Sequence, residues 1–174
     1  TGDLVCLTIE GKEMWRRNLR IEYADYNTNH GMGNSPLLHQ GSLYIACMHQ
    51  GPSYLLAVNA STGKTLWKKD RNLEAREEGN DSYSTPIVVN VDGHDQIVLS
   101  GAEYLNAYDP ATGKEIWRYR HDLNGDKFCC GPSNRGPAVS DGKVFTVTID
   151  ARLIALDQKT GERLWDVPIS DPNS

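Results

Sequence analysis

The chain has 174 residues, 39% of them apolar and 24% charged, and a formal charge of −5 at pH 7, an ordinary globular composition that does not favour disorder. Its uninterrupted apolar runs are far shorter than the roughly 18 residues needed for a membrane-spanning helix, so no membrane span is expected. Its 18 basic residues are scattered instead of forming a patch, so nucleic acid is not expected as a partner.

Short β-strands are predicted along the whole chain. Apolar, β-branched and aromatic residues come in short runs bounded by Gly, Asn, Asp and Ser, and helical periodicity is absent. The first two predicted strands cover residues 4–9 and 13–17. Three sets of four follow, at residues 35–38, 42–48, 54–59 and 65–69, then 85–90, 96–100, 104–109 and 115–119, then 137–140, 143–148, 152–157 and 163–167.

A repeat of about fifty residues organises these strands. Each of the four tryptophans ends a Gly-x-x-x-Trp motif, and successive tryptophans are 52, 50 and 48 residues apart. They are Trp15, Trp67, Trp117 and Trp165. A four-stranded sheet repeated at this period is typical of a β-propeller, whose blades stack around a central channel. The predicted fold class is therefore all-β, an incomplete β-propeller of four-stranded blades with docked tryptophans.

The residues of the motif are expected to have mechanical roles. The glycine would supply a positive φ in the turn between the last two strands of a blade. The tryptophan ring would fill the seam between neighbouring blades, so no chemical role is assigned to it. Cys6 and Cys47, which fall in predicted strands, are expected to be small buried hydrophobes.

The whole chain, residues 1–174, is expected to form a single partial propeller domain. Its parts would be a partial blade at residues 1–20 and blades at about 31–70, 82–120 and 135–168. These parts make about three and a half blades, whereas a propeller typically has four to eight. We therefore expect a partner that completes the ring, either the remainder of the chain's own propeller, which we favour, or a second copy.

The blade motif resembles that of a known superfamily. Residues 108–117 read Tyr-Asp-Pro-Ala-Thr-Gly-Lys-Glu-Ile-Trp, which is similar to the repeat of the pyrroloquinoline quinone (PQQ) superfamily. Its members include quinoprotein alcohol dehydrogenases and non-catalytic scaffolds, such as the lipoprotein of the bacterial outer-membrane protein assembly machinery. The resemblance covers the whole chain, but it implies a fold and not an activity.

A second stretch, residues 129–174, resembles the PQQ-dependent alcohol dehydrogenases in particular. Residues 129–136 read Cys-Cys-Gly-Pro-Ser-Asn-Arg-Gly. In that family adjacent cysteines form a disulfide that lies flat against the cofactor, and the arginine six positions after the first cysteine contacts the cofactor's acidic edge. The resemblance thus implies cofactor-binding roles for Cys129, Cys130 and Arg135. Two unrelated free thiols are the alternative for the cysteines.

The similarity to the dehydrogenases is incomplete. In that family a Gly-Ala-Glu whose carboxylate binds Ca²⁺ follows the cysteine pair, and later blades supply the catalytic aspartate. Here Gly-Ala-Glu stands at residues 101–103, before the cysteines. Glu103 is therefore expected to be a solvated turn carboxylate, with calcium binding as the alternative. No catalytic residue or metal ligand is assigned, and ligands for Ca²⁺ are expected outside this chain.

Two functions from different classes remain open. The first is a segment of a PQQ-dependent alcohol or sugar dehydrogenase, inactive by itself, with PQQ and Ca²⁺ as cofactors of the whole enzyme. The alternative is a non-catalytic PQQ-like repeat protein that acts as a protein-interaction scaffold, so enzymatic activity of the parent stays uncertain. A disulfide between Cys129 and Cys130 would require an oxidising compartment, which predicts a periplasmic or secreted bacterial protein.

Overall fold

Four β-sheets make up the described part of the chain. A computed structural model describes residues 2–28, 31–123 and 136–170. A two-stranded sheet comes first and three four-stranded sheets follow. The strands are β1 (Asp3–Leu7) and β2 (Glu13–Asn18), then β3 (Leu37–His39), β4 (Ser42–Cys47), β5 (Tyr54–Asn59) and β6 (Thr65–Asp70), then β7 (Ile87–Val91), β8 (His94–Gly101), β9 (Tyr104–Tyr108) and β10 (Glu115–Arg120), then β11 (Ala138–Ser140), β12 (Lys143–Val147), β13 (Arg152–Asp157) and β14 (Arg163–Pro168).

Within every sheet, strands that follow one another in the chain are paired antiparallel. This meander forms because the links inside a blade are short turns that suit antiparallel pairing. The prediction of an all-β chain with four strands per unit is confirmed, with strand ends that differ by a few residues. Two short helical segments, α1 (Leu19–Glu22) and a 3₁₀ turn (Glu77–Asn80), lie in the connections between sheets. They are too short to produce a periodic sequence pattern.

Each tryptophan but the last is docked on the following blade. The indole N–H groups of Trp15, Trp67 and Trp117 donate to backbone carbonyls of the next unit, with N···O distances of 3.0, 2.9 and 3.1 Å. The rings lie directly on the turn glycines of that unit, Gly63, Gly113 and Gly161, whose φ angles are 70°, 69° and 71°. The predicted roles of glycine and tryptophan are confirmed. Trp165, by contrast, is 37% exposed.

The hydrophobic core lies in the seams between the sheets. One buried cluster joins residues of the β3–β6 sheet, such as Ala46 and Leu55, to Ile97 and Leu99 of the β7–β10 sheet. A second joins the β7–β10 sheet to Val144, Ile154 and Leu156 of the β11–β14 sheet. The sheets are therefore stacked face to face, and burial of these faces supplies the main stabilisation.

The two cysteines within the described residues differ in burial. Cys47 in β4 is fully buried and fits the prediction of a small core hydrophobe, whereas Cys6 in β1 is only half-buried. Burial raises the pKa of the Cys47 thiol, which disfavours its reactive thiolate form. Of the helices in the described ranges, none is long and apolar enough to cross a bilayer.

Candidate functional site

Two kinds of segment meet on one face of the stacked sheets: the turns after the second strand of each blade and the connections that leave the fourth strand. Backbone hydrogen bonds join them at equivalent places. The N–H groups of Arg71, His121 and Ile169 donate to the carbonyls of Ser53, Glu103 and Ala151, at 2.8, 3.1 and 2.8 Å. We call residues 48–53, 71–86, 101–103, 121–123 and 148–151 the connection face. Such segments carry function more often than the strands that they join.

The fourth residue after each tryptophan is at the edge of this face. Leu19, Arg71 and His121 are only 3%, 2% and 8% exposed, because each enters the seam with the following sheet. Ile169, at the same position of the last described sheet, is 53% exposed. Sequence reasoning missed this position, although its fixed offset from the tryptophan was a usable signal. Two of these four residues, Arg71 and His121, are polar. Polar side chains are therefore buried in the seams on both sides of the β7–β10 sheet.

Arg71 is buried in the seam between the β3–β6 and β7–β10 sheets. Its guanidinium donates to the hydroxyl of Tyr108 at 3.1 Å, the carbonyl of Gly101 at 2.9 Å and Oδ1 of Asn106 at 2.5 Å. The Asn106 amide in turn donates to the Glu115 carboxylate at 2.9 Å. Burial lowers the pKa of Arg71, but arginine stays charged in proteins. The buried Arg71 cation is thus stabilised by three neutral acceptors and, through Asn106, by the Glu115 carboxylate.

His121 and Asp150 form a buried pair in the next seam. Nε2 of His121 lies 3.0 Å from both carboxylate oxygens of Asp150, and their side chains are 9% and 0% exposed. The partners come from different sheets, since His121 follows β10 and Asp150 is in the turn before β13. A carboxylate on one imidazole nitrogen fixes the orientation of the ring.

Glu103 is not the solvated turn carboxylate that the sequence suggested. Its side chain is 1% exposed, so that prediction was wrong. Ala102 and Glu103 both have positive φ, 55° and 64°, which makes a tight turn. The connection after β6 runs beside this turn, and the backbone N–H of Arg76 donates to Oε1 of Glu103 at 3.0 Å. Oε2 has no hydrogen-bond partner within the described residues.

A small pocket lies beside Glu103 and His121, in the seam between the β7–β10 and β11–β14 sheets. Its walls include the apolar side chains of Leu105, Leu123 and Val147. Its volume is about 40 Å³, which is room for a few water-sized groups. The Glu103 carboxylate would repel the charges of a tricarboxylate such as PQQ.

The residues predicted to bind PQQ, Cys129, Cys130 and Arg135, lie outside the described residues. They belong to the connection between β10 and β11, which leaves the described chain after Leu123 and re-enters it at Gly136. The described residues bring together no group of three His, Cys, Asp or Glu side chains that could hold a metal ion.

Comparison with known proteins identifies related sequences over most of the chain. A family model described as outer membrane protein assembly factor BamB matches residues 53–173. The quinone alcohol dehydrogenase subunit of Gluconacetobacter polyoxogenes is 36% identical over 158 residues, 90% of this chain and 15% of that protein. Quinohemoprotein alcohol dehydrogenase ADH IIB of Pseudomonas putida is 40% identical over 150 residues, 86% of this chain and 14% of that protein. The chain thus spans about 15% of the length of these relatives.

Solved structures share the fold. BamB from Moraxella catarrhalis superposes with a TM-score of 0.64 over 95% of this chain and 46% of its own, at 18% identity. Quinohemoprotein alcohol dehydrogenase ADHIIG from Pseudomonas putida HK5 gives 0.63 over 93% of this chain and 30% of its own, also at 18% identity. Both are β-propellers, so the predicted fold class is confirmed, with the sheets of this chain not closed into a ring. The resemblance that residues 108–117 and 129–174 suggested is confirmed as well.

Proposed function

Since the chain belongs to the PQQ repeat family whose model is described as outer membrane protein assembly factor BamB, we propose that it forms one arc of the propeller of a PQQ-dependent alcohol dehydrogenase. The similarity to quinone-dependent alcohol dehydrogenases over about nine-tenths of the chain carries this proposal. A periplasmic location and an alcohol or sugar substrate for the whole enzyme are part of it. The exposed ring of Trp165 supports a further blade beyond β14.

Within this arc, Cys129, Cys130 and Arg135 would contribute to the quinone site. PQQ is flat and electron-poor, so a rigid disulfide suits its face, and an arginine fork suits its carboxylates. When bound, the quinone supplies the two-electron oxidant for an alcohol. Ca²⁺, if the whole enzyme uses it, would take its ligands from outside this chain, as the resemblance to the dehydrogenases implies.

We expect Cys129 and Cys130 to be bonded to each other in the oxidised protein. Alkylation without reduction, followed by mass spectrometry of the peptides, should leave both thiols unmodified by the reagent, and prior reduction should make both reactive. Cys6, which is half-buried and free, is the internal control and should be alkylated in both samples. Full alkylation of Cys129 and Cys130 without reduction would contradict the proposed pairing.

We also expect the chain alone to lack dehydrogenase activity when PQQ and Ca²⁺ are added. The chain spans about 15% of the length of the related dehydrogenases, and the catalytic aspartate and the Ca²⁺ ligands are expected outside it. A dye-linked assay with short primary alcohols tests this, with a reconstituted quinoprotein alcohol dehydrogenase as the positive control. Turnover by the chain that disappears in Arg135→Ala would contradict this expectation.

A non-catalytic scaffold is the second candidate. It is favoured by the family model, which covers residues 53–173, and by the superposition on BamB over 95% of the chain. The two candidates differ in one measurable property, since a scaffold needs no cofactor. Native mass spectrometry of the oxidised chain with PQQ, compared with Arg135→Ala, separates them: binding that Arg135→Ala weakens favours the dehydrogenase, and no binding in either protein favours the scaffold.

A further inference from the structure

We propose that His49 is a pH-sensitive switch: its ring holds residues 25–28 against the turn after β4 at neutral pH, and protonation of its Nδ1 releases them. His49 lies in this turn and is fully buried. Residues 25–28 belong to the connection that leads from α1 to the β3–β6 sheet. The switch is built from described residues alone and does not depend on quinone chemistry.

One nitrogen of the His49 ring accepts two backbone hydrogen bonds. The N–H groups of Asn27 and Gly51 both donate to Nδ1, at 3.2 and 3.0 Å. These bonds assign the hydrogen of the neutral ring to Nε2. A second hydrogen on Nδ1 would end both bonds, because the protonated ring only donates, and it would place a positive charge against two N–H dipoles. The contact therefore requires the neutral ring.

The ring and its turn hold residues 25–28 by further contacts. The Tyr26 ring lies edge-on to the imidazole, with ring centroids 5.4 Å apart, and the Asn27 carbonyl accepts from the Gln50 N–H at 2.9 Å. Tyr26 also packs on the buried apolar cluster that includes Cys47. Release of the segment therefore uncovers apolar surface, so the switch changes what the protein presents to solvent.

The groups that face His49 decide its protonation. Burial lowers the pKa of the imidazole, and the Asp81 carboxylate, in the connection after β6, raises this pKa by less. The pKa of His49 therefore lies below its ordinary value. Tyr26 from the held segment and Cys47 from β4 are neutral, because burial raises the pKa of each. Asp25 turns to solvent, with its side chain 82% exposed.

The direction of the pH dependence follows from this lowered pKa. In the released state the imidazole has its ordinary pKa of about 6.5, whereas in the held state it takes up the proton only at lower pH. The held state is thus fully favoured above about pH 6.5 and loses this advantage as the pH falls. Uptake of one proton weakens the hold by at most about tenfold per pH unit, or about 25-fold between pH 7 and pH 5.

Amide hydrogen exchange of the full chain at pH 7 and pH 5 tests the switch, with each rate corrected for the intrinsic exchange rate at that pH. We expect the protection of the Asn27 and Gly51 amides to fall at pH 5, by up to about 25-fold. The Gly63 amide, which donates to the Asn59 carbonyl at 2.8 Å in the turn between β5 and β6, should keep its protection. An equal fall at Gly63 would mean global unfolding and would overturn the proposal.

Three variants separate the roles of the ring. In His49→Asn the amide oxygen takes the place of Nδ1 and accepts the same bonds but does not titrate, so protection should be equal at both pH values. In His49→Phe a ring remains but the acceptor is gone, so the protection of Asn27 should be low at both. His39→Asn is the control: His39 of the same sheet pairs with Asp95 at 2.8 Å, and this variant should keep the full pH dependence.

The tautomer of His49 gives a second test if His49→Asn and His49→Phe do not fold. Nitrogen chemical shifts of the unaltered chain should show the hydrogen on Nε2 at pH 7, and the ring should titrate over the pH range in which Asn27 loses protection. A hydrogen on Nδ1 at pH 7, protection of Asn27 that is equal at pH 7 and pH 5, or the same fall in His49→Asn as in the unaltered chain would overturn the switch. None of these results bears on quinone binding.

Discussion

Replacing Gly113 by alanine is expected to destabilise the chain by about 3 kcal/mol. The residue has φ +69°, a region in which an L side chain is strained by roughly 1–2 kcal/mol. A Cβ atom would also lie 2.6 Å from Cε3 of the docked Trp67 ring. The ring or the turn must move, which costs a further 1–3 kcal/mol or so. Denaturant unfolding followed by far-ultraviolet circular dichroism measures the loss.

Gly11 is the matched control for this substitution. It occupies the equivalent turn of the first sheet with φ +84°, but nothing lies within 4 Å of the position that its Cβ would take. Gly11→Ala should therefore show the backbone strain alone, about 1 kcal/mol. Equal losses in the two variants would mean that tryptophan docking contributes nothing to the seams.

Replacing Arg71 by alanine is expected to cost about 3 kcal/mol. The substitution leaves a cavity in the seam. It also removes the guanidinium N–H groups that donate to the Tyr108 hydroxyl, to Oδ1 of Asn106 and to the Gly101 carbonyl. Each buried acceptor that loses its donor is destabilising, and the cavity adds its own cost. Removal of a desolvated charge offsets part of this loss. The same denaturant titration measures the effect.

Arg118 provides a control from the same group of residues. It is paired with Glu115 at 3.0 Å, but its side chain is 45% exposed, so the pair is a surface ion pair that contributes at most about 1 kcal/mol. Arg118→Ala should thus leave the unfolding midpoint nearly unchanged. If Arg71→Ala lowers the free energy of unfolding as little as Arg118→Ala does, the hydrogen bonds of Arg71 do not stabilise the contact between the two sheets.

The blades could be predicted because the same local signals recur in every unit. Turn glycines, strand runs and tryptophans are determined by short-range chemistry, and predicted strands such as 54–59 and 152–157 coincide with β5 and β13. Repetition also predicted the seams, since each tryptophan needs a neighbouring turn. The chain segments between blades escaped this reasoning because they do not repeat, as α1 and the 3₁₀ turn illustrate.

The polar seam residues could not be predicted for a different reason. Arg71 and His121 find partners 29 to 37 residues away, and those contacts depend on how two sheets stack. Glu103 was misjudged for the same reason: a turn carboxylate is usually solvated, and only the path of the connection after β6 buries this one. The family resemblance supplied Cys129, Cys130 and Arg135, and these residues stay a prediction.

Blades join through a tryptophan docked on the next unit, and we propose that the face around Trp165 binds a further unit in the same way. That face includes Trp165 and Val167, which are 37% and 43% exposed, and apolar surface of this kind favours association. Ile9 is 99% exposed but lies outside that face, so Ile9→Arg is the control for a substitution that only adds charge. Sedimentation velocity at micromolar concentrations should show association of the unaltered chain and of Ile9→Arg, and a shift to monomer in Trp165→Arg. A concentration-independent monomer that melts cooperatively would contradict the claim.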